Sequence, residues 1–301
     1  MAGIQFARVN RDATRRAGPT PTQIDRVNAL LWPDVTLDRG GAFIEGRRDF
    51  EHDGQLTLGL RWDRFEADAA RAQQRVSDTV AAPAQFYAMY YGSAPLATSE
   101  SGLGALLRYQ RGVGDQGLVF VGASRSLRAA DSTERYIAAM APTPAGRWIG
   151  NPNLVAETHH QLDAGYAWRD ERRETSLAVF IDDVHDYILR DRARRQDGVL
   201  LADGATIYRN VDARLAGVEV AYAQPLGEHA RLDAQLAYVR GENRSDGRVL
   251  AQMPPLDGRI ALARASRFGE WSMVFRGAAR QNRADTSVAS GSGLDARATP
   301  G

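Results

Sequence analysis

Between Ala205 and Gln224 the chain holds a period-two pattern over a stretch far longer than the roughly 5–6 residues of an ordinary globular strand. Val218, Val220 and Tyr222 fall on one side of it, Gly217, Glu219 and Ala221 on the other. A helix would bring its apolar residues back every three to four positions, so this segment is extended. A long strand with apolar side chains outward and polar ones inward is a stave of a membrane-spanning β-barrel. The requirement is that the rest of the chain repeat the pattern.

It does. Ile4 to Arg8 is a short alternating piece, followed by a polar, proline-bearing connection through Leu37. Gly41–Phe50 and Gln55–Ala67 read as two strands around the turn Glu51-His52-Asp53-Gly54. In the second, Leu56, Leu58, Leu60 and Trp62 share a face. A long polar segment, Asp68 to Glu100, precedes a hairpin made of Leu103–Arg111 and Leu118–Arg128. A long loop from Ala129 leads to Thr158–Trp168, then a turn at Asp170–Arg173, then Thr175–Leu189. After the loop Arg190–Gly204 comes the opening stretch, then Arg231–Arg240, Gly258–Ala265 and Trp271–Arg280. About eleven strands result, with short turns and long loops in strict alternation. Short turns on the periplasmic side and long loops outside are the habit of outer-membrane barrels. Tyr166, Trp168, Tyr222 and Trp271 lie beside the short turns on the apolar face, where an interfacial girdle would stand.

Composition narrows the alternatives. With 25% charged residues and a mean hydropathy of −0.40, no run approaches the roughly 18 apolar residues of a transmembrane helix. Bulk hydropathy is blind to barrel strands. All the basic side chains are arginine, and the net charge of +1 with dispersed basic residues gives no reason to expect a nucleic-acid partner. There is no cysteine, which removes disulfides, thiolate metal sites and cysteine nucleophiles together. The first residues lack a charged segment followed by an apolar core. A barrel made for the outer membrane needs such a signal, so the expectation is a portion of a longer protein. A soluble β-rich binding protein is the competing reading, and it predicts solubility without detergent.

Particular segments carry a resemblance. Tyr208-Arg-Asn210 followed by Gly217-Val-Glu219 resembles a strand signature of TonB-dependent outer-membrane receptors. Asn151-Pro-Asn-Leu-Val-Ala-Glu157 is similar to another segment of that family, with Ala156 where proline is usual, and Arg125-Ser-Leu-Arg128 leading to Asp131 and Glu134-Arg135 to a third. Ile188–Arg192, Leu236–Arg248 with Gln252–Leu256, and Ala279–Arg283 resemble the copper-receptor subgroup. The resemblance implies an all-β, antiparallel transmembrane barrel, of which this chain supplies about eleven of 22 strands around a plug. It implies that residues 1–301 are a middle-to-late barrel portion, with the plug domain and closing strands outside them. It also implies an outer-membrane location in a Gram-negative bacterium, partnership with lipid, with the receptor's own plug and, through that plug, with the TonB–ExbB–ExbD system. The transported substrate would be a metal, copper first and a ferric-siderophore or other metal chelate as the alternative, with no cofactor and no enzymatic step. A passive porin-like or non-functional truncated product is the alternative of another class.

Few residues suggest chemistry. Gly112-Val-Gly114-Asp-Gln-Gly117 has dinucleotide-loop spacing but is followed by Leu-Val-Phe-Val, a strand, so it reads as a hairpin turn. His159 and His160 are adjacent and, on a strand, point to opposite faces, which prevents joint chelation. Asp183 and His185 share a face and are expected to pair. Soft ligands suit copper, so Met89, Met140 and Met253, in or near long loops, join His159 and His160 as candidate metal contacts. No His-x-Met pair occurs, and the resemblance implies that the main ligands lie in the plug and early barrel. Glu219, Arg61, Arg108, Asp163 and Asp233 are placed on inner faces as a charged wall for plug docking.

Overall fold

The computed structural model describes residues 1–301 except positions 21, 25, 52, 78, 79, 94, 288, 290 and 296–301. His52 therefore lies outside the described residues. Eleven long strands form the wall: β1 (Ala2–Ala17), β2 (Arg26–Phe50), β3 (Gly54–Ala69), β4 (Ala97–Val113), β5 (Gly117–Arg128), β8 (Glu157–Arg169), β9 (Glu174–Arg192), β10 (Thr206–Leu226), β11 (Ala230–Asn243), β13 (Asp257–Ser266) and β14 (Gly269–Ala278). Three two-residue pieces, β6 (Ala138–Ala139), β7 (Trp148–Ile149) and β12 (Arg248–Val249), and two helices, α1 (Pro83–Tyr91) and α2 (Ser132–Tyr136), lie in the connections. Each long strand pairs antiparallel with the next one in sequence, and the sheet is open, with β1 and β14 at its edges. Short connections at 51–53, 114–116, 170–173, 227–229 and 267–268 alternate with longer ones at 18–25, 70–96, 129–156, 193–205 and 244–256. Gly114 and Gly227 take left-handed φ of 62° and 69°, which lets these tight reversals close without Cβ strain.

Register carries the pattern from strand to strand. Leu60 lies opposite Ile44 and Ala105, Leu162 opposite Ile181, and Val220 between Leu177 and Leu236. Directly opposed residues share a face, so one surface of the sheet is a continuous apolar band. Leu60 and Leu162 are 60% and 58% exposed, far beyond what a water-soluble surface leaves contiguous. Tyr166, Trp168, Tyr222 and Trp271 stand on that face by the short turns, and Tyr109 joins them. At the other border the same face turns ionic: Arg8 pairs with Asp38 at 2.6 Å, Arg64 with Glu66 at 2.7 Å, Arg214 with Asp183 at 2.7 Å, and Arg240 with Glu242. Between aromatic and ionic borders lies the exposed apolar band.

Two boundaries differ from the sequence reading for one reason. The expected connection from Arg8 to Leu37 is strand except at 18–25: β1 pairs β2 from Ala2↔Ile44 to Ala17↔Arg26. Ala97–Glu100, expected in a polar segment, opens β4. Above the ionic border the outer face meets water and the inner face meets water or the packed connections, so the regular apolar–polar alternation vanishes while the backbone ladder continues. Hydrogen bonding has no need of the pattern.

The inner face uses glycine to let neighbours lie flat. Gly165 sits beneath the Phe120 ring and Gly217 beneath the Phe180 ring, where a Cβ would overlap the aromatic atoms. An aromatic covering a cross-strand glycine buries backbone that glycine would leave bare. Gly217→Val is expected to cost about 1–3 kcal/mol by overpacking. The midpoint of heat-induced unfolding of the whole receptor in detergent should fall, and adding Phe180→Ala should recover part of the loss. An unchanged midpoint in Gly217→Val would show that the ring does not rest there.

The largest apolar core is not in the wall. It joins Phe86, Tyr87, Tyr90 and Tyr91 of α1 to Tyr136, Ile149, Val199 and Ile207, so the three long connections 70–96, 129–156 and 193–205 pack into one crown. Helix α1 starts at Pro83, with the Gln85 side chain accepting from the Ala82 amide at 3.0 Å, and stops at Gly92 with φ 79°. Helix α2 is held by a capping box: Asp131 accepts from Thr133 and Glu134 amides at 2.7 and 2.8 Å, and Glu134 accepts from the Asp131 amide at 2.8 Å. The buried tyrosines are satisfied. Tyr87 donates to the Tyr136 carbonyl, Tyr90 to Asp203 at 2.7 Å and Tyr136 to the Leu96 carbonyl at 3.1 Å.

Candidate functional site

The inner wall and the rim above it are the surfaces on which a barrel of this kind acts. Arg61, on the inner face of β3, binds Asp63 through Nε and Nη2 at 2.6 and 2.7 Å, and Arg39 reaches the same carboxylate at 3.2 Å. Asp63, 3% exposed, is the hub, and the sequence reading missed it. Arg108 on β4 and Asp163 on β8 are separated by β5, yet they meet at 3.7 Å. The intervening residue is Gly122, where a Cβ would sit 2.6 Å from Asp163 Oδ1. Arg108 also lies 3.9 Å from the centre of the Phe120 ring, a cation–π contact. Asp233 pairs with Arg231 of its own strand at 3.0 Å. Glu219 is exposed between Ala178 and Ala237, and among the described residues it makes no ion pair. Arg108 and Asp163 are thus brought together, while Arg61, Asp233 and Glu219 stand apart on the same face.

The segments that carry the resemblance converge at the rim. Asn151 Nδ2 donates to the Tyr208 carbonyl at 3.0 Å, and Asn210 accepts from the Val155 amide at 3.0 Å and donates to the Val155 carbonyl at 3.1 Å. Arg128 forks onto Glu157 at 2.6 and 2.7 Å and also reaches Glu134 at 2.9 Å. Arg135, 1% exposed, binds Glu100 and the Pro152 carbonyl, and Glu100 in turn accepts from the Ala156 amide at 2.6 Å. Glu157 accepts from the Ile188 amide at 2.6 Å. These residues clamp the crown to the strand ends. Nothing in their spacing reveals that they touch.

The candidate metal contacts are dispersed. Met140 packs against the crown core, Met253 lies over Gly241, and Met89 is 45% exposed on α1. His159 and His160 face opposite sides. His159 Nδ1 lies 2.7 Å from Asp182 and Nε2 3.2 Å from Glu157, so both ring nitrogens meet carboxylates and an imidazolium fits the site. Asp183 and His185 do not pair: a register shift between Val211 and Ala213 brings Asp212 to His185 at 3.2 Å, while Arg214 takes Asp183. Among the described residues no group of three or more His, Asp and Glu is arranged to hold an ion.

The rim network titrates. Burial pushes the Glu157 carboxyl up, but Arg128, His159 and the Ile188 amide outweigh it and hold it at about 2. Glu157 raises the His159 pKa, burial opposes the rise, and Asp182 adds to it. The signs are opposite. The Glu157 contribution is complete above the ordinary carboxyl value of 4.5 and lost as pH falls toward 2, and that of His159 is complete below its ordinary 6.5 and lost as pH rises through its raised value. Protease protection of the 129–156 connection should therefore be greatest between these limits and decline in alkaline solution. His159→Gln should flatten the alkaline decline, and a decline of equal size in that variant would exclude the histidine as its source.

The family described as TonB dependent receptor-like, beta-barrel matches residues 1–300. No curated protein sequence matches. Among solved structures, the chain superposes on a copper transporter, OprC, with a TM-score of 0.73 and 24% identity over 94% of this chain and 41% of that one. It superposes on the ferric-catecholate import receptor Fiu from E. coli K12 with 0.63 and 14% over 96% and 42%, and on a mutant ferric enterobactin receptor, PfeA, from Pseudomonas aeruginosa with 0.58 and 16% over 93% and 46%. The chain spans less than half the length of each. An open antiparallel meander with an apolar outer band, a charged inner wall and a packed crown is matched over residues 1–300 by one family, and the chain belongs to the TonB-dependent receptor β-barrel family.

Proposed function

We propose that this chain is the middle-to-late barrel portion of an outer-membrane receptor that imports metal actively, driven through a plug by the TonB–ExbB–ExbD system, with copper as the cargo. The family match over residues 1–300 carries the receptor reading. Copper is favoured by the segments Ile188–Arg192, Leu236–Arg248 and Ala279–Arg283 and by the likeness to a copper transporter, where identity and TM-score exceed those for the iron-chelate receptors. In this reading the plug docks on the inner wall. Arg61, Arg108, Asp163 and Asp233 already have partners, so they shape the wall, and Glu219 is the carboxylate left for a plug cation. No bond is made or broken in the barrel.

Cells carrying the whole receptor should accumulate labelled copper faster than cells lacking it, and dissipating the inner-membrane proton gradient should abolish the difference. Uptake of a ferric catecholate in place of copper would assign the chelate alternative. Uptake indifferent to the gradient would replace the receptor by a passive pore.

A further inference from the structure

One pair of side chains is used neither by the wall nor by the rim clamp. His160 continues the outward row Leu162, Ala164 and Tyr166 of β8, and His185 continues Leu177, Val179 and Ile181 of β9 past Asp183. The register places Thr158 opposite His185 and His160 opposite Asp183, so the two histidines are diagonal neighbours on one face. Both are exposed, and their rings stand edge to face with centroids 5.5 Å apart. With metal–nitrogen bonds of about 2.0–2.1 Å, two imidazoles on one ion hold their ring centres about 5 Å apart. The observed 5.5 Å is close to that separation.

A second feature points the same way. His185 Nδ1 lies 3.2 Å from Asp212 Oδ1, which fixes the proton on Nδ1 and turns the Nε2 lone pair away from the carboxylate. A carboxylate behind the far nitrogen is how proteins orient and strengthen a metal-binding histidine. Asp183 is not a third ligand, because Arg214 holds it at 2.7 Å and Arg244 at 3.3 Å. Arg125, directly opposite His160 on β5, is a third guanidinium and donates to the Leu103 carbonyl, so Asp183, Asp186 and Asp212 balance three guanidiniums and a cation meets no net positive charge.

We infer that His160 and His185 form a two-imidazole site for a divalent transition ion of the Cu²⁺, Ni²⁺ or Zn²⁺ type, completed by water, on the outside of the wall just above the apolar band. Asp212 is its positioning residue. The site lies outside the lumen and does not depend on which cargo crosses the barrel.

The test uses the whole receptor in detergent, titrated with Cu²⁺ and read by electron paramagnetic resonance. The wild type should bind one more equivalent than the His160→Ala/His185→Ala variant, and that equivalent should carry the hyperfine pattern of two nitrogens. Asp212→Asn should weaken it about tenfold without removing it. Bound Cu²⁺ should also protect both histidines of the wild type from acylation by diethyl pyrocarbonate, a readout that needs no variant. Equal stoichiometry in wild type and double variant, or acylation unaffected by Cu²⁺, would overturn the site. If the uptake reading fails, the His160/His185 difference in bound Cu²⁺ remains, so the two failures are distinguishable.

Discussion

Refolded by itself in detergent, the 301-residue chain should run at the same position on cold SDS gels with and without heating, and it should open no pores in a planar bilayer. Its sheet ends at β1 and β14, each with a row of unpaired amides and carbonyls. Such rows cost several kcal/mol per group in hydrocarbon, so an open wall cannot face lipid. Pairing of two copies does not repair this. With eleven strands in a meander, β1 and β14 run in the same direction, so joining β14 of one copy to β1 of another in the same orientation makes a parallel seam. Antiparallel closure needs an odd number of further strands. Heat-modifiable migration of these residues alone would overturn this account of the edges.

The second large effect is expected at the tip of β9 and β10. Asp191 is fully buried and accepts from Arg209 Nε, Arg194 Nη1 and the Arg192 amide, each at 2.7 Å; Arg209 also binds Asp246. Burial raises the Asp191 pKa, and the two arginines and the amide together bring it below the ordinary carboxylate range. Removing one member of a buried pair costs about 3–5 kcal/mol when the remaining charge is left alone, and here Arg194 stays on Asp191, so the loss should lie near the low end of that range. Arg209→Ala should therefore loosen the crown, and protease should cut the 193–205 and 244–256 connections much faster in the whole receptor. The wall below should keep its heat-modifiable migration. Arg231→Ala, which breaks an exposed pair with Asp233, should change either readout by no more than about 1 kcal/mol. Equal sensitivity at the two sites would mean that Asp191 is not sealed from water.

Legibility followed the solvent. Where one face is apolar and the other polar, as along Leu56–Trp62 or Val218–Tyr222, alternation marks the strand and its facing, and Glu219, Arg61, Arg108, Asp163 and Asp233 fall on the face opposite the apolar band. Where lipid no longer lies on one side, as along Arg11–Ala17 and Arg26–Thr36, the chain looks like a loop although β1 and β2 stay paired there. The crown was hidden for a different reason. Its tyrosines and alanines are scattered over three connections, none periodic, and become a core only when the strand ends bring those connections together. The Asp183–His185 expectation failed on one irregularity: the shift at Val211/Ala213 exchanges their partners, and no residue there announces a bulge.

By itself, then, the sequence determined that this is an alternating-strand wall, which face meets lipid, where the chain reverses and which family the motifs resemble, because each of these is a local consequence of solvent on either side of a strand. The tertiary structure alone decided that Arg108 reaches Asp163 over Gly122, that Asn151 and Tyr208 lock the crown to the wall, that His159 sits between two carboxylates and that His160 faces His185. Those contacts join residues from different strands and loops. They depend on register, which backbone pairing sets across the whole sheet and no single segment encodes.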